Sequence, residues 1–184
     1  MLRPDCPGVT LDLAAPPWLR FVVVGSGRSG TAYAAAVFCR LGIPCGHEAV
    51  FGWGHPPDPR LLGDSSFCAA PFLGWFSGVV FHQVRHPLAV LQSVVATGFF
   101  HDPGPYVPHL ALVERFLPDL GRATTPIEKA IRFVLGWNLM CEPHAHLRWQ
   151  VETLAPSTLR AGSDGAKGTA RDRSARARGR RRGR

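Results

Sequence analysis

The chain has 184 residues, of which 46% are hydrophobic and 18% charged, enough for one α/β domain and too few for two. Its net charge of +8 arises beyond residue 159, where ten basic residues accompany two acidic ones, whereas the first 159 residues hold eleven of each. We therefore expect no specific nucleic-acid partner, and without an 18-residue apolar run or a signal-peptide pattern we expect a cytoplasmic protein with no membrane span.

Strands and helices are predicted to alternate along the first part of the chain. Residues 1–18 form a Pro-rich lead-in, and the continuous apolar run 20–24 predicts a strand buried on both faces of a parallel sheet. Apolar residues at helical spacing predict a helix over 29–41. A second short strand is expected over 43–45.

The same alternation continues to about residue 158. The predicted elements are a short helix capped by Asp64 or Ser65, a strand over 78–83, a helix over 87–97, a loop over 101–108, a helix over 125–140 and a last strand within 146–154. This order predicts an α/β domain over 19–158, with a parallel sheet, flanking helices and right-handed crossovers. Residues 159–184 are rich in Arg and poor in large apolar residues, so they are expected to be disordered.

Three polar stretches follow predicted strands. They are the loop over 25–31, His47 with Glu48, and Arg85. Because ligands of open α/β sheets lie at the carboxyl ends of the strands, we expect these stretches to share one crevice.

The first of these stretches, FVVVGSGRSGT over 21–31, contains the pattern G-x-G-x-x-G at Gly25, Gly27 and Gly30. A loop between a strand and a helix offers backbone N–H groups and the positive end of the helix dipole to an anion. The Walker A pattern is absent. A dinucleotide site expects an acidic residue about twenty positions further on, and Glu48 fits, so an NAD(P)-binding oxidoreductase remains an alternative.

Arg85 and Ser93 suggest a second phosphate position. Arg85 ends a predicted strand, and Ser93 follows eight residues later, about two turns into the next helix. The guanidinium supplies a fork of donors and the serine a hydroxyl donor. This second phosphate position beside the glycine loop predicts a ligand with two separate phosphate groups.

These motifs resemble those of the sulfotransferase superfamily over residues 20–155. Residues 28–31, Arg-Ser-Gly-Thr after a strand, are similar to its 5′-phosphosulfate loop. Residues 85–87, Arg-His-Pro, with Ser93 are similar to its 3′-phosphate motif, and the WQVETL stretch over 149–154 resembles a later strand of the family. The resemblance implies a P-loop-like three-layer sandwich.

The resemblance also implies an activity: transfer of a sulfuryl group from 3′-phosphoadenosine 5′-phosphosulfate (PAPS) to a hydroxyl or amine of a glycan or small-molecule acceptor, with no metal. Arg28 is then expected to neutralise charge on the leaving phosphate, and Arg85 to hold the 3′-phosphate. The binding residues implied in this way are Gly27, Arg28, Ser29, Gly30, Thr31, Arg85 and Ser93.

The resemblance places a general base after the second strand. Glu48 is the first choice, because a glutamate there resembles the glycan-sulfating branch of the family, and His47 is the second. The five cysteines are scattered and form no C-x-x-C pair, which agrees with the expectation of no metal site.

The chain departs from the family after the ETL triplet. Family members continue with helices and a basic loop that closes over the adenosine, whereas this chain continues with the Arg-rich segment. We expect a truncated or frame-shifted end, so a non-catalytic remnant is a further alternative. A native tail would instead predict an electrostatic arm for an anionic partner.

Overall fold

The computed structural model describes residues 16–52, 58–101 and 107–153. Most of the predicted lead-in over 1–18, and all of the predicted disordered tail over 159–184, lie outside the described residues. Contacts divide the chain into Met1–Val151 and Glu152–Arg184. The sheet and its helices belong to the first of these units.

A five-stranded parallel sheet forms the centre of the fold. The sequence predicts a parallel sheet and four of its five strands. The strands are β1 (Phe21–Val24), β2 (Cys45–His47), β3 (Gly63–Ser65), β4 (Val79–Val84) and β5 (Leu147–Gln150). Their order across the sheet is β2-β3-β1-β4-β5, so β1 is central and pairs with β3 on one side and β4 on the other. The carboxyl ends of β1 and β4 therefore lie side by side.

Four α-helices and four 3-10 segments lie between and after the strands in the described part of the chain. They are α1 (Thr31–Arg40), α2 (Pro87–Ala96), α3 (Val107–Phe116) and α4 (Pro126–Cys141), with 3-10 segments over Phe67–Trp75, Pro118–Arg122, Glu142–His144 and Val151–Thr153. Within the described ranges, none of these helices combines the length and the apolar character that crossing a bilayer needs.

Both faces of the sheet are covered, which gives three layers. Because side chains alternate along a strand, Phe21 and Val23 pack on one face with Ala34 of α1. Val22 and Val24 pack on the other face with the 3-10 segment Phe67–Trp75 and with α2, α3 and α4. All four residues of β1 are buried, as predicted for a strand at the centre of a parallel sheet.

The sequence predicts that Asp64 or Ser65 caps a short helix, and this predicted start is wrong. Both residues belong to β3, which pairs with β1 and β2, and this pairing is a long-range contact that the local sequence does not reveal. Ser66 is the cap, its side chain accepting the Cys68 N–H at 3.1 Å, and the segment that follows is a 3-10 helix containing Pro71.

The other predicted boundaries shift by a few residues. The second strand lies over 45–47 rather than 43–45, and the last strand ends at Gln150. Helix α3 is not among the predicted elements, and it begins at Val107, inside the predicted loop. The predicted start of α4 is confirmed, since Thr125 and Glu128 form a reciprocal capping box.

Candidate functional site

The loop after β1 makes a sharp turn that depends on small residues and two left-handed conformations. A Cβ atom at Gly25 would collide with the backbone carbonyl of Gln83, so no larger residue fits there without a shift. Arg28 has φ 70°, and Gly30, the N-cap of α1, has φ 94°. The Ser29 N–H donates to the Ser26 carbonyl at 3.1 Å and closes the turn.

Gln83 of β4 holds this loop from behind. Its side-chain amide donates to the Ser29 carbonyl at 2.9 Å, and its amide oxygen accepts the Trp149 indole N–H at 3.0 Å. Gln83 is fully buried. The amide therefore satisfies the buried Ser29 carbonyl and the partly buried Trp149 indole N–H, and it ties the loop to β4 and β5.

Ser29 lies inside the loop rather than in the cleft. Its hydroxyl and that of Ser26 are buried and have no hydrogen-bond partner within the described segments. Its backbone N–H already donates within the turn. Ser29 is one of the residues predicted to bind a phosphate, and in the structure it shapes the loop.

Arg28, Arg85 and Ser93 come together at the carboxyl ends of β1 and β4; we call these three residues the basic wall. The Arg28 Nε donates to the Ser93 Oγ at 3.0 Å. The Arg85 Nη1 donates to the Arg28 carbonyl at 3.2 Å. Two guanidinium groups and a hydroxyl from three separate elements thus form one connected cluster, a suitable arrangement for a polyanion.

His47, Glu48 and His109 form a second part of the site, which we call the acidic wall. The His47 Nε2 lies 3.2 Å from the Thr31 Oγ1 and 3.8 Å from the Glu48 Oε1. The Glu48 Oε2 lies 3.7 Å from the Nε2 of His109, a residue of α3. One hydrogen bond therefore joins a hydroxyl to an imidazole, and a carboxylate lies at ion-pair distance from this imidazole and from a second one. Carboxylate and imidazole are both groups that can accept a proton.

Asp64 of β3 fixes the backbone that follows Glu48. The backbone of Glu48 is left-handed, with φ 53°. The Asp64 carboxylate accepts the backbone N–H groups of Ala49 and Val50 at 3.1 Å and of Phe51 at 2.9 Å. Burial raises the pKa of Asp64, while the three hydrogen bonds and the nearby His47 act in the opposite direction. The carboxylate is thus the anchor of the turn that presents Glu48.

The two walls face one cleft with a volume of about 450 Å³. The predicted site residues that line it are Gly27, Arg28, Gly30, Thr31, His47, Glu48 and Arg85. Ser93 joins them through its hydrogen bond with Arg28, and Ser29 lies behind them. The expectation that the three polar stretches share one crevice is therefore confirmed.

Several residues of the cleft were not identified from the sequence. They are Ala32, Tyr33, Phe67, Phe99 and His109. The His109 ring stacks on Phe67, with ring centroids 5.4 Å apart and an angle of 20° between the planes. No local motif marks His109, because the contact joins α3 to the 3-10 segment after β3, and only the packing of these elements reveals it.

Within the described part of the chain, no group of three His, Cys, Asp or Glu side chains is placed to hold a metal ion. Burial raises the pKa of Cys45 and of Cys141 to about 12, so these thiols stay protonated at neutral pH.

No protein-family model matches this chain, and the comparison with curated proteins finds no match either.

Proposed function

We propose that this protein transfers a sulfuryl group from PAPS to a hydroxyl or amine of a glycan or small-molecule acceptor. The observation that carries the proposal is the basic wall: Arg28, Arg85 and Ser93, which the sequence motifs assign to two phosphate positions, meet within hydrogen-bonding distance beside the glycine loop. A donor with separate 5′-phosphosulfate and 3′-phosphate groups matches this arrangement of cations.

The glycine loop and Arg28 are the proposed site for the 5′-phosphosulfate. The loop precedes α1, so its N–H groups and the positive end of the helix dipole attract an anion. The Thr31 hydroxyl lines the same cleft and adds a donor. Arg28 stabilises the negative charge that develops on the leaving phosphate oxygen.

The proposed chemistry is an in-line displacement at sulfur. The acceptor oxygen or nitrogen forms a bond to sulfur while the bond from sulfur to the phosphate oxygen breaks, which yields the sulfated acceptor and 3′-phosphoadenosine 5′-phosphate. The acceptor proton passes to Glu48, which lines the same cleft as Arg28 and Arg85. Positioning of donor and acceptor in one cleft supplies much of the remaining rate enhancement.

In this proposal His47 is a positioning residue for Glu48. Its Nε2 lies between the Thr31 hydroxyl and the Glu48 carboxylate, at 3.2 Å and 3.8 Å. It therefore connects the phosphosulfate side of the cleft with the base. His109 approaches the other carboxylate oxygen of Glu48 and restricts its orientation.

The strand order supports this proposal over a dinucleotide site. In the common dinucleotide-binding fold, the second strand lies next to the first and its acidic residue binds the ribose. Here β3 separates β2 from β1, so Glu48 follows a strand two places away from the glycine loop. The basic wall also adds two guanidinium groups that a dinucleotide site does not require.

The experiment is calorimetric titration of the purified chain with 3′-phosphoadenosine 5′-phosphate, with NAD as the competing ligand. We expect preferential binding of the bisphosphate, and a loss of about 100-fold in Arg85→Ala, since a charged hydrogen-bonding group contributes about 1.5–3 kcal/mol. Arg40→Ala, at the end of α1 and outside the cleft lining, is the matched control. Preferential NAD binding, or unchanged bisphosphate affinity in Arg85→Ala, would overturn the proposal.

An acceptor screen follows if the bisphosphate binds. Purified protein is incubated with PAPS and panels of neutral glycans, phenols and amines, and release of the bisphosphate is measured together with the sulfated product. Product from at least one panel supports transferase activity. Binding of the bisphosphate without transfer to any panel would favour the non-catalytic alternative.

A further inference from the structure

Helices α2 and α4 expose a set of apolar side chains on their outer sides, away from the core. Leu88 of α2 is 61% exposed and Leu135 of α4 is 60% exposed. Helix α2, with the sequence PLAVLQSVVA, has no charged residue on this side or on any other. The exposed set, which we call the α2–α4 face, consists of Leu88, Leu91, Val95, Ile127, Ile131 and Leu135.

The α2–α4 face is continuous across the two helices. They pack side by side, and a groove of about 490 Å³ lies where α2 meets the start of α4. The groove is lined by Leu88, Leu91, Gln92, Val95, Ala96 and Ile127. From Ile127 the face continues along α4, because residues spaced four apart, here 127, 131 and 135, lie on one side of a helix. A contiguous apolar patch marks an interaction site, and none of these residues lines the cleft.

Two opposite charges flank the α4 part of the face. Glu128 and Arg132 are exposed and four residues apart, yet they form no ion pair with each other. The Glu128 Oε2 accepts the N–H groups of Thr124 and Thr125, and the Arg132 Nη1 donates to the Asp119 carbonyl. Within the described part of the chain, the Glu128 Oε1 and the other N–H groups of Arg132 are not used, so both side chains can bind a partner.

We propose that a second copy of this chain covers the α2–α4 face, with the two α4 helices antiparallel and a two-fold axis at Ile131. Positions 127 and 135 are equidistant from 131, so the axis brings Ile127 of each copy to Leu135 of the other. It also brings Glu128 of each copy to Arg132 of the other, because at 3.6 residues per turn both lie on the same flank of the stripe. A two-fold interface requires this self-complementarity, and each contact then occurs twice.

The chemistry of the face favours a second copy as its occupant. One acidic and one basic residue flank it, so it has no net charge to attract a strongly charged partner. Residues 159–184 are rich in arginine and hold one large aliphatic residue, Leu159, so they do not match an apolar face beside an uncharged helix. An identical face supplies both the apolar groups and the complementary charges.

The size of the face predicts a weak dimer. Helix α4 has 16 residues, so the face is about 24 Å long, and two helices of about 10 Å diameter make it about 20 Å wide. Each copy then buries roughly 500 Å², and the total of about 1,000 Å² is at the lower limit for a specific interface. We therefore expect a dissociation constant of about 10 μM.

Analytical ultracentrifugation of the full chain over about 1–200 μM tests the proposal. The wild type should pass from monomer to dimer, and Ile131→Glu should weaken association at least about 30-fold, because it buries two carboxylates at the axis. Leu62→Glu is the matched control, since Leu62 precedes β3, outside the face, and is 43% exposed against 41% for Ile131. Arg132→Glu should weaken association about 3- to 10-fold, with Arg115→Glu on α3 as its control. Thermal unfolding checks that each variant is folded.

Disulfide cross-linking tests the position of the axis. Helices packed about 8–10 Å apart bring facing Cα atoms to about 4–5 Å, a distance that a disulfide can span. Ile131→Cys is made in a chain with Cys6→Ser and Cys39→Ser, so that the other remaining cysteines are buried. Glutathione disulfide oxidises the two facing thiols to a disulfide and is itself reduced to two thiols. We expect a cross-linked dimer from Ile131→Cys and mostly monomer from the control Leu62→Cys.

Three results would overturn the proposal. A wild-type chain that stays monomeric at about 200 μM would leave the face to another occupant, such as residues 1–15. A dimer that Ile131→Glu leaves intact, or equal cross-linking of the two cysteine variants, would place the interface elsewhere. None of these results bears on the proposed transfer reaction, because the cleft and the α2–α4 face share no residue.

Discussion

The two walls of the cleft are supported in the same way by side chains of different charge. Behind the basic wall, Gln83 of β4 donates to the carbonyl of Ser29. Behind the acidic wall, Asp64 of β3 accepts three backbone N–H groups from residues 49–51. Both side chains are fully buried, and each belongs to a strand that pairs with the strand preceding the loop it holds.

The difference in charge separates the behaviour of the two walls. A neutral amide holds its loop equally well at any pH near neutrality, whereas the carboxylate of Asp64 titrates, and burial raises its pKa. The comparison also separates the tasks that we propose for them, which are donor binding for the basic wall and acceptance of a proton for the acidic wall. Variants of one wall should therefore leave the task of the other unchanged.

The largest effect is expected at the acidic wall. Glu48→Gln removes the proposed base and keeps the size of the side chain, so kcat should fall by about 100- to 10,000-fold. The affinity for 3′-phosphoadenosine 5′-phosphate, measured by calorimetry, should change by less than about twofold. Glu114→Gln, at an exposed position of α3, is the control. Retained turnover in Glu48→Gln would assign the base elsewhere and make His47 the next residue to test.

The next effect concerns the support of the basic wall. Gln83→Leu leaves the Ser29 carbonyl and the Trp149 indole N–H without their partner, which should lower the free energy of unfolding by about 2–4 kcal/mol. Urea unfolding measures this change, and bisphosphate titration should show weaker donor binding because the loop is no longer fixed. Gln92→Leu, on the exposed side of α2, controls for the loss of an amide. Equal stability of the wild type and Gln83→Leu would show that the loop holds its shape alone.

A smaller effect is expected from the support of the acidic wall. Asp64→Asn keeps the shape of the side chain and deprives at least one of the three backbone N–H groups of an acceptor, so the free energy of unfolding should fall by about 1–3 kcal/mol at pH 7. Turnover should fall, because the turn presenting Glu48 is less well held, while donor affinity stays unchanged. Asp119→Asn, at an exposed position, is the control. A loss of donor affinity equal to the loss of turnover would contradict the separation of the two walls.

The pH dependence of Asp64→Asn has a defined sign. The pKa of Asp64 is raised in the folded protein above its ordinary value of 3.8, so the protonated form is favoured by folding. Its stabilising contribution is complete below pH 3.8 and is lost as the pH rises through the folded pKa. The deficit of Asp64→Asn relative to the wild type should therefore be larger near pH 4 than at pH 7, which thermal unfolding at both pH values measures. A deficit that grows with pH would contradict this sign.

The parts of the fold that the sequence predicts are those with local signals. The β-branched run of β1, the glycines after it and the capping box of Thr125 and Glu128 each act within a few residues, and each is found where expected. Ligands of open α/β sheets lie at the carboxyl ends of the strands, and this rule correctly predicts that the polar stretches after β1, β2 and β4 line one cleft.

The remaining parts depend on contacts between distant segments. The three residues of β3, Gly-Asp-Ser, have no strand pattern, and they form a strand because β1 and β2 pair with them on either side. A Cβ at Gly63 would collide with the Phe21 ring, so this glycine makes room for a residue 42 positions earlier in the chain. His109 enters the site only through the packing of α3 against the 3-10 segment after β3, which no local pattern anticipates.

At two positions of the cleft, the backbone conformation favours glycine while the proposed chemistry needs a charged side chain. Arg28 and Glu48 are the non-glycine residues with positive φ in the described part of the chain, at 70° and 53°, and a left-handed backbone costs such residues about 1–2 kcal/mol that glycine avoids. The side chains to which we assign leaving-group stabilisation and proton transfer thus occupy the positions where the backbone prefers glycine. Selection for stability alone would therefore favour glycine at both positions, and under the proposed function the resulting protein would be more stable and inactive.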